Sequence, residues 1–245
     1  MTPKKTNSTL RHGLARVISK QGLASRTQAA QWIAEGRVQV NGKLIHDAEF
    51  PVHMGVDVIA IAGAETTTAV HRVIMLNKPR GLVTTTSDEK NRDTVYSCFD
   101  NADLPWLAPI GRLDKASEGL LLFSNDPQWA ARITDPVNGP NKTYHVQINA
   151  IPNDSDFKKM VQGIVVEGAS LAASTAKLLR HGEKNAWLEI ILDEGKNRQI
   201  RRLLTALDFE VLRLIRVAIG SLQLGELAKG EWRELSADEV SGMEG

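Results

Sequence analysis

The chain has 245 residues, a net charge of +1 and 42% hydrophobic residues, enough apolar surface for packed cores and too much for a disordered polymer. Its one cysteine, Cys98, excludes an internal disulfide framework and fits a reducing compartment. No run approaches the roughly 18 apolar residues of a membrane span, and residues 1–9 are polar without the apolar stretch of a secretory signal, so a cytoplasmic protein is expected.

Residues 1–9 read as a flexible tail. From Leu10 the apolar residues Leu14, Val17 and Ile18 fall at helical spacing, and Gly22 can end that helix. Ser25 followed by Gln28 forms a capping box for a second helix carrying Ala29, Trp32 and Ile33, which stops at Gly36. Asn41-Gly42, between Val38/Val40 and Leu44/Ile45, is a hairpin signal. Residues 10–60 thus read as two short helices and a β-hairpin. Residues 61–71, small and Thr-rich, read as a linker.

From 72 to 245 the pattern is mixed. Strands are expected at 73–76, 119–124, 143–149, 175–180, 187–193 and 211–217, the third with Tyr144, Val146 and Ile148 on one face. Helices are expected from Asp126-Pro127 to Ile133, from Asn153 or Asp154 to about Gly163, and from about Arg198 to Leu207. Strands outnumber helices and the connections are irregular, so an α+β domain on a mixed, mainly antiparallel sheet is predicted rather than repeating βαβ units.

Charge is unevenly distributed. Residues 1–60 hold eight Lys/Arg against four Asp/Glu, and residues 195–216 hold six against two, a local net of +4 in each. Two basic segments on a near-neutral chain fit anionic partners such as phosphates, or a solvated charged face. The six histidines are scattered without ligand spacing, and no metal site is expected.

One acidic residue stands out. Asp114 sits in the polar turn Gly111-Arg112-Leu113-Asp114-Lys115, directly before the apolar run Gly119-Leu120-Leu121-Leu122. A turn on a rigid strand is where a catalytic carboxylate is placed, and a neighbouring guanidinium would keep it ionised; a structural turn aspartate has the same local look. Glu118, four residues on, would form a carboxylate pair only on a helix, and a strand is expected there.

The 111–122 segment resembles the catalytic motif of the small-ribosomal-subunit and related RNA pseudouridine synthases. Three further stretches resemble the same family in order: Leu76-Asn77-Lys78-Pro79-Arg80-Gly81, Lys142-Thr143-Tyr144-His145-Val146, and Gly195-Lys196-Asn197-Arg198-Gln199-Ile200-Arg201-Arg202-Leu203. Residues 22–43 resemble an S4 domain, an RNA-binding module, through Gly22-Leu23-Ala24-Ser25-Arg26, Glu35-Gly36-Arg37-Val38 and Val40-Asn41-Gly42-Lys43.

The resemblance implies a small S4-like RNA-binding domain at 10–60 followed by a synthase domain at 72–245. It implies isomerisation of a flipped-out uridine in ribosomal RNA, 23S favoured over 16S, with no metal, no cofactor and no membrane. A monomer is expected. Asp114 would act at the sugar, as nucleophile or as proton acceptor on a glycal route. Tyr144 would stack on the base or assist proton transfer at C5, or pack in the core. Arg201 would pair with Asp114, or bind phosphate like Arg198 and Arg202. Expected RNA contacts are Arg26, Arg37 and Lys43 in the S4-like region, and Lys78, Arg80, Arg112, Lys142, Lys196, Arg198 and Arg202 in the synthase region. The alternative is a non-catalytic RNA-binding or ribosome-assembly factor that retains the fold.

Overall fold

The computed structural model describes residues 11–54, 56–63, 71–86, 88–100 and 102–243. The expected tail at 1–9, Leu10 and most of the expected linker lie outside the described residues. The chain divides into two compact units. One takes in the described residues up to Arg72 with Leu104–Ala108 and Asn125–Pro127; the other comprises Val73–Asp103, Pro109–Ser124 and Gln128–Gly245.

The first unit runs β1 (Arg11–Gly13), α1 (Leu14–Lys20), α2 (Arg26–Ala34), β2 (Val38–Val40), β3 (Lys43–Leu44), β4 (Pro51–His53) and β5 (Ile59–Ile61). The helix expected from Leu10 begins only at Leu14. Residues 11–13 instead pair antiparallel with β4, and the Leu14 and Ala15 N–H groups donate to the Phe50 and Ala48 carbonyls. Long-range backbone pairing thus overrides a local helical pattern. Ser25 caps α2 by accepting from the Gln28 N–H, but the reciprocal half of the box is missing because the Gln28 amide turns to Gln31. The Asn41-Gly42 turn has φ of 51° and 78°, the left-handed pair that a two-residue hairpin requires. Leu14, Val17, Ile18, Ile33, Val38, Val52 and Ile61 fill the small core.

The remaining elements, in the second unit apart from Ala108 and Pro127, are β6 (Val73–Lys78), a 3₁₀ turn (Val95–Phe99), β7 (Ala108–Ile110), β8 (Glu118–Ser124), α3 (Pro127–Ile133), β9 (Lys142–Ile148), α4 (Asp154–Gln162), β10 (Ile164–Val166), β11 (Ala169–Leu171), β12 (Thr175–His181), β13 (Ala186–Leu192), α5 (Gln199–Thr205), β14 (Val211–Ile219), β15 (Leu222–Gln223), β16 (Trp232–Glu234) and α6 (Ala237–Ser241). The main sheet has the order β12-β13-β9-β14-β8-β6-β16, and along that path only the β14–β8 ladder is parallel. The short pieces β7, β10, β11, β15, β16 and α6 carry too few residues for a periodic signal and were not expected.

Strand β8 is buried along its whole length. Leu120 and Leu122 join a core with Trp129 and Ile133 of α3. Phe123 packs edge-to-face against Tyr96 and Phe99. Burial on both faces explains why its sequence is a continuous apolar run rather than an alternation. Strand β13 alternates instead, with Ala186, Leu188, Ile190 and Leu192 facing a core that α5 closes with Ile200, Leu203 and Leu204.

Candidate active site

Asp114 lies just ahead of β8, in a turn whose backbone is fastened at every carbonyl from 113 to 117. Thr84 Oγ donates to the Leu113 carbonyl at 2.9 Å. The Asp114 carbonyl accepts the Ser117 N–H at 2.9 Å and Lys78 Nζ at 3.3 Å. The Gly81 N–H donates to the Lys115 carbonyl at 2.8 Å, and an Arg201 Nη donates to that of Ala116 at 3.2 Å. Lys78 Nζ also donates to the Ser117 carbonyl at 2.9 Å and to that of Pro79 at 3.1 Å. A loop whose carbonyls are all held by the 78–84 segment and α5 keeps its side chain in one place.

Lys78 is therefore not an RNA contact. It has 0% exposure, and its ammonium is consumed by three backbone carbonyls. Burial pushes it down to about 8, against the opposing pull of Cys98, Glu118 and Asp114.

A cleft of about 440 Å³ opens over this turn, and Asp114, Tyr144, Lys142, Arg198, Arg201 and Arg216 all line it. The strands set the floor. Tyr144 on β9 pairs with Arg216 on β14, which pairs with Gly119 on β8, placing two motif segments in one row across the sheet with Arg216 between them. Gly119 has φ of +100°, and a Cβ there would lie 2.3 Å from the Arg216 carbonyl oxygen. Only glycine permits that backbone approach. Tyr144 lines the cleft and also packs against the core under β13.

The Asp114 carboxylate is paired with Arg198, not Arg201: an Arg198 Nη reaches Oδ2 at 3.3 Å. The expected Arg201 pair is not formed. Arg201 spends its fork on the carbonyls of Ala116 and Val211, and its buried Nε has no hydrogen-bond partner. Burial and the charge of Arg198 lower its pKa, opposed by Asp114, while Arg80 lowers it further. The helix expected from about Arg198 starts one residue later: Arg198 is the cap of α5, with left-handed φ of 48° and ψ of 33°. Such a backbone costs a non-glycine residue about 1–2 kcal/mol, and here it turns the Arg198 side chain towards the carboxylate.

The rest of the basic segment is tied down by the β10–β11 hairpin and the chain after it. Lys196 Nζ donates to the Ser170 carbonyl and pairs with Glu194, the Gln199 amide donates to the Ala172 carbonyl, and Arg202 reaches the Val166 carbonyl and Glu167. Lys196 still lines the cleft, whereas Arg202 does not. Arg112 lines it and is exposed; Arg80 is exposed and outside its lining. Lys142 is half-buried, its pKa lowered by burial and by Arg216, against Asp193. Glu118 is no second acid for a carboxylate pair: it is a strand residue clasped by Arg213 and Lys229, which hold it ionised despite its burial. Thr84 and Arg216 went unread in the sequence. Nothing in a local pattern marks a side chain that matters through a distant carbonyl.

In the first unit Arg26 and Lys43 are exposed, Arg26 facing Glu49 at 3.8 Å, while the Arg37 guanidinium lies over Trp32 and donates to the Ala62 carbonyl. Among the described residues no helix is long and apolar enough to cross a membrane.

Residues 72–206 match the family model described as RNA pseudouridylate synthase, and residues 13–58 match the S4 domain. The chain is 36% identical over 229 residues to the ribosomal large subunit pseudouridine synthase B of Bacillus subtilis, covering 93% of each chain. It is 35% identical to an uncharacterized RNA pseudouridine synthase of Aquifex aeolicus, over 91% of this chain and 90% of that one. A crystal structure of a pseudouridylate synthase superposes with a TM-score of 0.65 at 30% identity, covering 96% of this chain and 99% of the other. With an S4 domain ahead of an α+β module of this topology, the chain belongs to the RNA pseudouridylate synthase family, isomerases that act on RNA.

Proposed function

We propose that the protein converts one uridine of ribosomal RNA to pseudouridine, in 23S rather than 16S RNA, with Asp114 as the catalytic carboxylate. The RNA class rests on the B. subtilis relative, whose name specifies the large ribosomal subunit. The assignment of Asp114 rests on one observation: a half-exposed carboxylate at the mouth of a cation-lined cleft, on a turn fastened at five successive carbonyls.

The reaction breaks C1′–N1 and joins C1′ to C5. N1 ends with a proton and C5 without one, so no atom is gained or lost. Extruding the uridine costs a few kcal/mol, which contacts to the flanking phosphates offset. Exposed Arg112, Lys196 and Arg80 supply such contacts near the cleft, and Arg26, Arg37 and Lys43 supply them from the S4 domain. The carboxylate works on the sugar while the Tyr144 ring stacks on the base. Arg198 pairs with the Asp114 carboxylate, and Arg201 acts as a positioning residue through the Ala116 carbonyl. We assign 10–60 to the RNA-binding domain and 72–245 to the catalytic domain, and we expect a cytoplasmic monomer that needs no cofactor or metal.

Mapping pseudouridines in 23S and 16S RNA from cells with and without this protein tests the reading. Loss of a single 23S pseudouridine is expected. An unchanged map in both RNAs would contradict it.

A further inference from the structure

We propose that Arg216 holds a carbonyl oxygen of the uracil base and carries the negative charge that develops on the base when its bond to the sugar breaks. The inference rests on the isomerase reading above and assigns a task that Asp114, Tyr144 and Arg201 leave open.

Arg216 is the most deeply buried of the cations that line the cleft. It is 5% exposed, on a central strand of the sheet. Its Nε donates to the Leu120 carbonyl at 2.7 Å, yet one terminal nitrogen is buried without any hydrogen-bond partner. It lines the same cleft as Asp114 and Tyr144, and it is the direct cross-strand neighbour of Tyr144. A buried N–H left unmade costs about 1–3 kcal/mol. Such a donor in a cleft marks the place of an acceptor that arrives with the substrate.

The depth of Arg216 says which acceptor. Arg112, Lys196 and Arg198 are exposed, at the level where the backbone of an extruded nucleotide stays. Arg216 lies on the floor beside the ring expected to stack on the base, where only the base arrives. Uracil presents carbonyl oxygens O2 and O4. When C1′–N1 breaks, its electron pair remains on the base, and the charge spreads over N1, O2 and O4 until C5 bonds to C1′. Half-buried Lys142 adds a second positive charge to the same cleft. A fixed guanidinium there is stronger for the anion than for the neutral base, so it acts on the rate more than on affinity.

The test uses Arg216→Gln and Arg216→Lys in the full-length protein, with an rRNA fragment that the unsubstituted protein modifies. The glutamine amide can still donate to the Leu120 carbonyl but carries no charge; the lysine keeps the charge and guards against a folding failure of the first variant. By analogy with loss of one preorganised donor, the single-turnover rate should fall about 100-fold in R216Q, with partial recovery in R216K and little change in RNA affinity. A second RNA carries 5-fluorouridine at the target, followed by disappearance of intact 5-fluorouridine from digests. Fluorine stabilises the departing base, so the penalty of R216Q should shrink. An equal penalty on both RNAs, an unaltered rate, or a loss confined to affinity, as for a phosphate anchor, would overturn the proposal. If the unsubstituted protein left every RNA unmodified, the isomerase reading itself would fall instead.

Discussion

Replacing Lys78 with Met probes how Asp114 is held. Methionine fills nearly the same volume, so little cavity forms, but the carbonyls of Pro79 and Ser117 lose the Lys78 donor, and that of Asp114 keeps only the Ser117 N–H. Each orphaned carbonyl costs about 1–3 kcal/mol. Removing a buried charge returns several kcal/mol, so the two terms nearly offset and stability should change by no more than about 3 kcal/mol, read by denaturant titration. Activity should suffer more, because a displacement of about 1 Å at a reacting group can cost roughly 100-fold. Single-turnover assays at 20 °C should show that loss with RNA affinity retained. The pH dependence carries the sign. The Lys78 pKa is lowered to about 8 in the folded protein from 10.5, so between those values the unfolded chain binds more protons. Stability of the natural protein relative to K78M therefore rises from pH 8 towards 10.5 and is flat below 8. A folded K78M with unimpaired catalysis would refute the claim that this lysine positions the carboxylate.

Gly119→Ala places a Cβ against the Arg216 carbonyl at a positive φ, and thermal melts should show loss of the folded state or destabilisation of more than about 3 kcal/mol. Arg198→Gln removes a largely exposed ion pair, so stability should shift by less than about 1 kcal/mol; Arg201→Gln, which loses buried backbone contacts, should cost more than R198Q in the same denaturant titration. Changing Arg26, Arg37 and Lys43 together to Gln should weaken RNA binding across sequences and flatten its salt dependence by up to about three phosphate contacts, as filter binding over a salt series would show. The turnover rate on saturating RNA should not change with them.

Much of the fold was legible because its signals are local. Asn41-Gly42 marked a turn through its left-handed backbone, Pro127 marked a helix start, and the Gly119-to-Phe123 run marked a strand buried on both faces. Expectations failed where distant partners decide. Residues 11–13 left their helical pattern to pair with residues 51–53, and Arg198 left α5 for a left-handed conformation. The site shows the same division. The Asp114 turn was visible as a charged interruption before an apolar strand. Lys78 read as a surface cation, because no sequence pattern reports that a lysine is buried and closed over three carbonyls. No residue pattern reported that Arg198, rather than Arg201, reaches the Asp114 carboxylate.

The central claim is that the Asp114 carboxylate does the chemistry and that the rest of the cleft holds it and the RNA. Asp114→Asn keeps the size of the side chain and leaves all five fastened carbonyls in place. Its single-turnover conversion of a 23S fragment, with RNA affinity measured in parallel, is the direct test. The account predicts no pseudouridine above background and affinity close to that of the unsubstituted protein; conversion by D114N at a substantial fraction of the natural rate would contradict it.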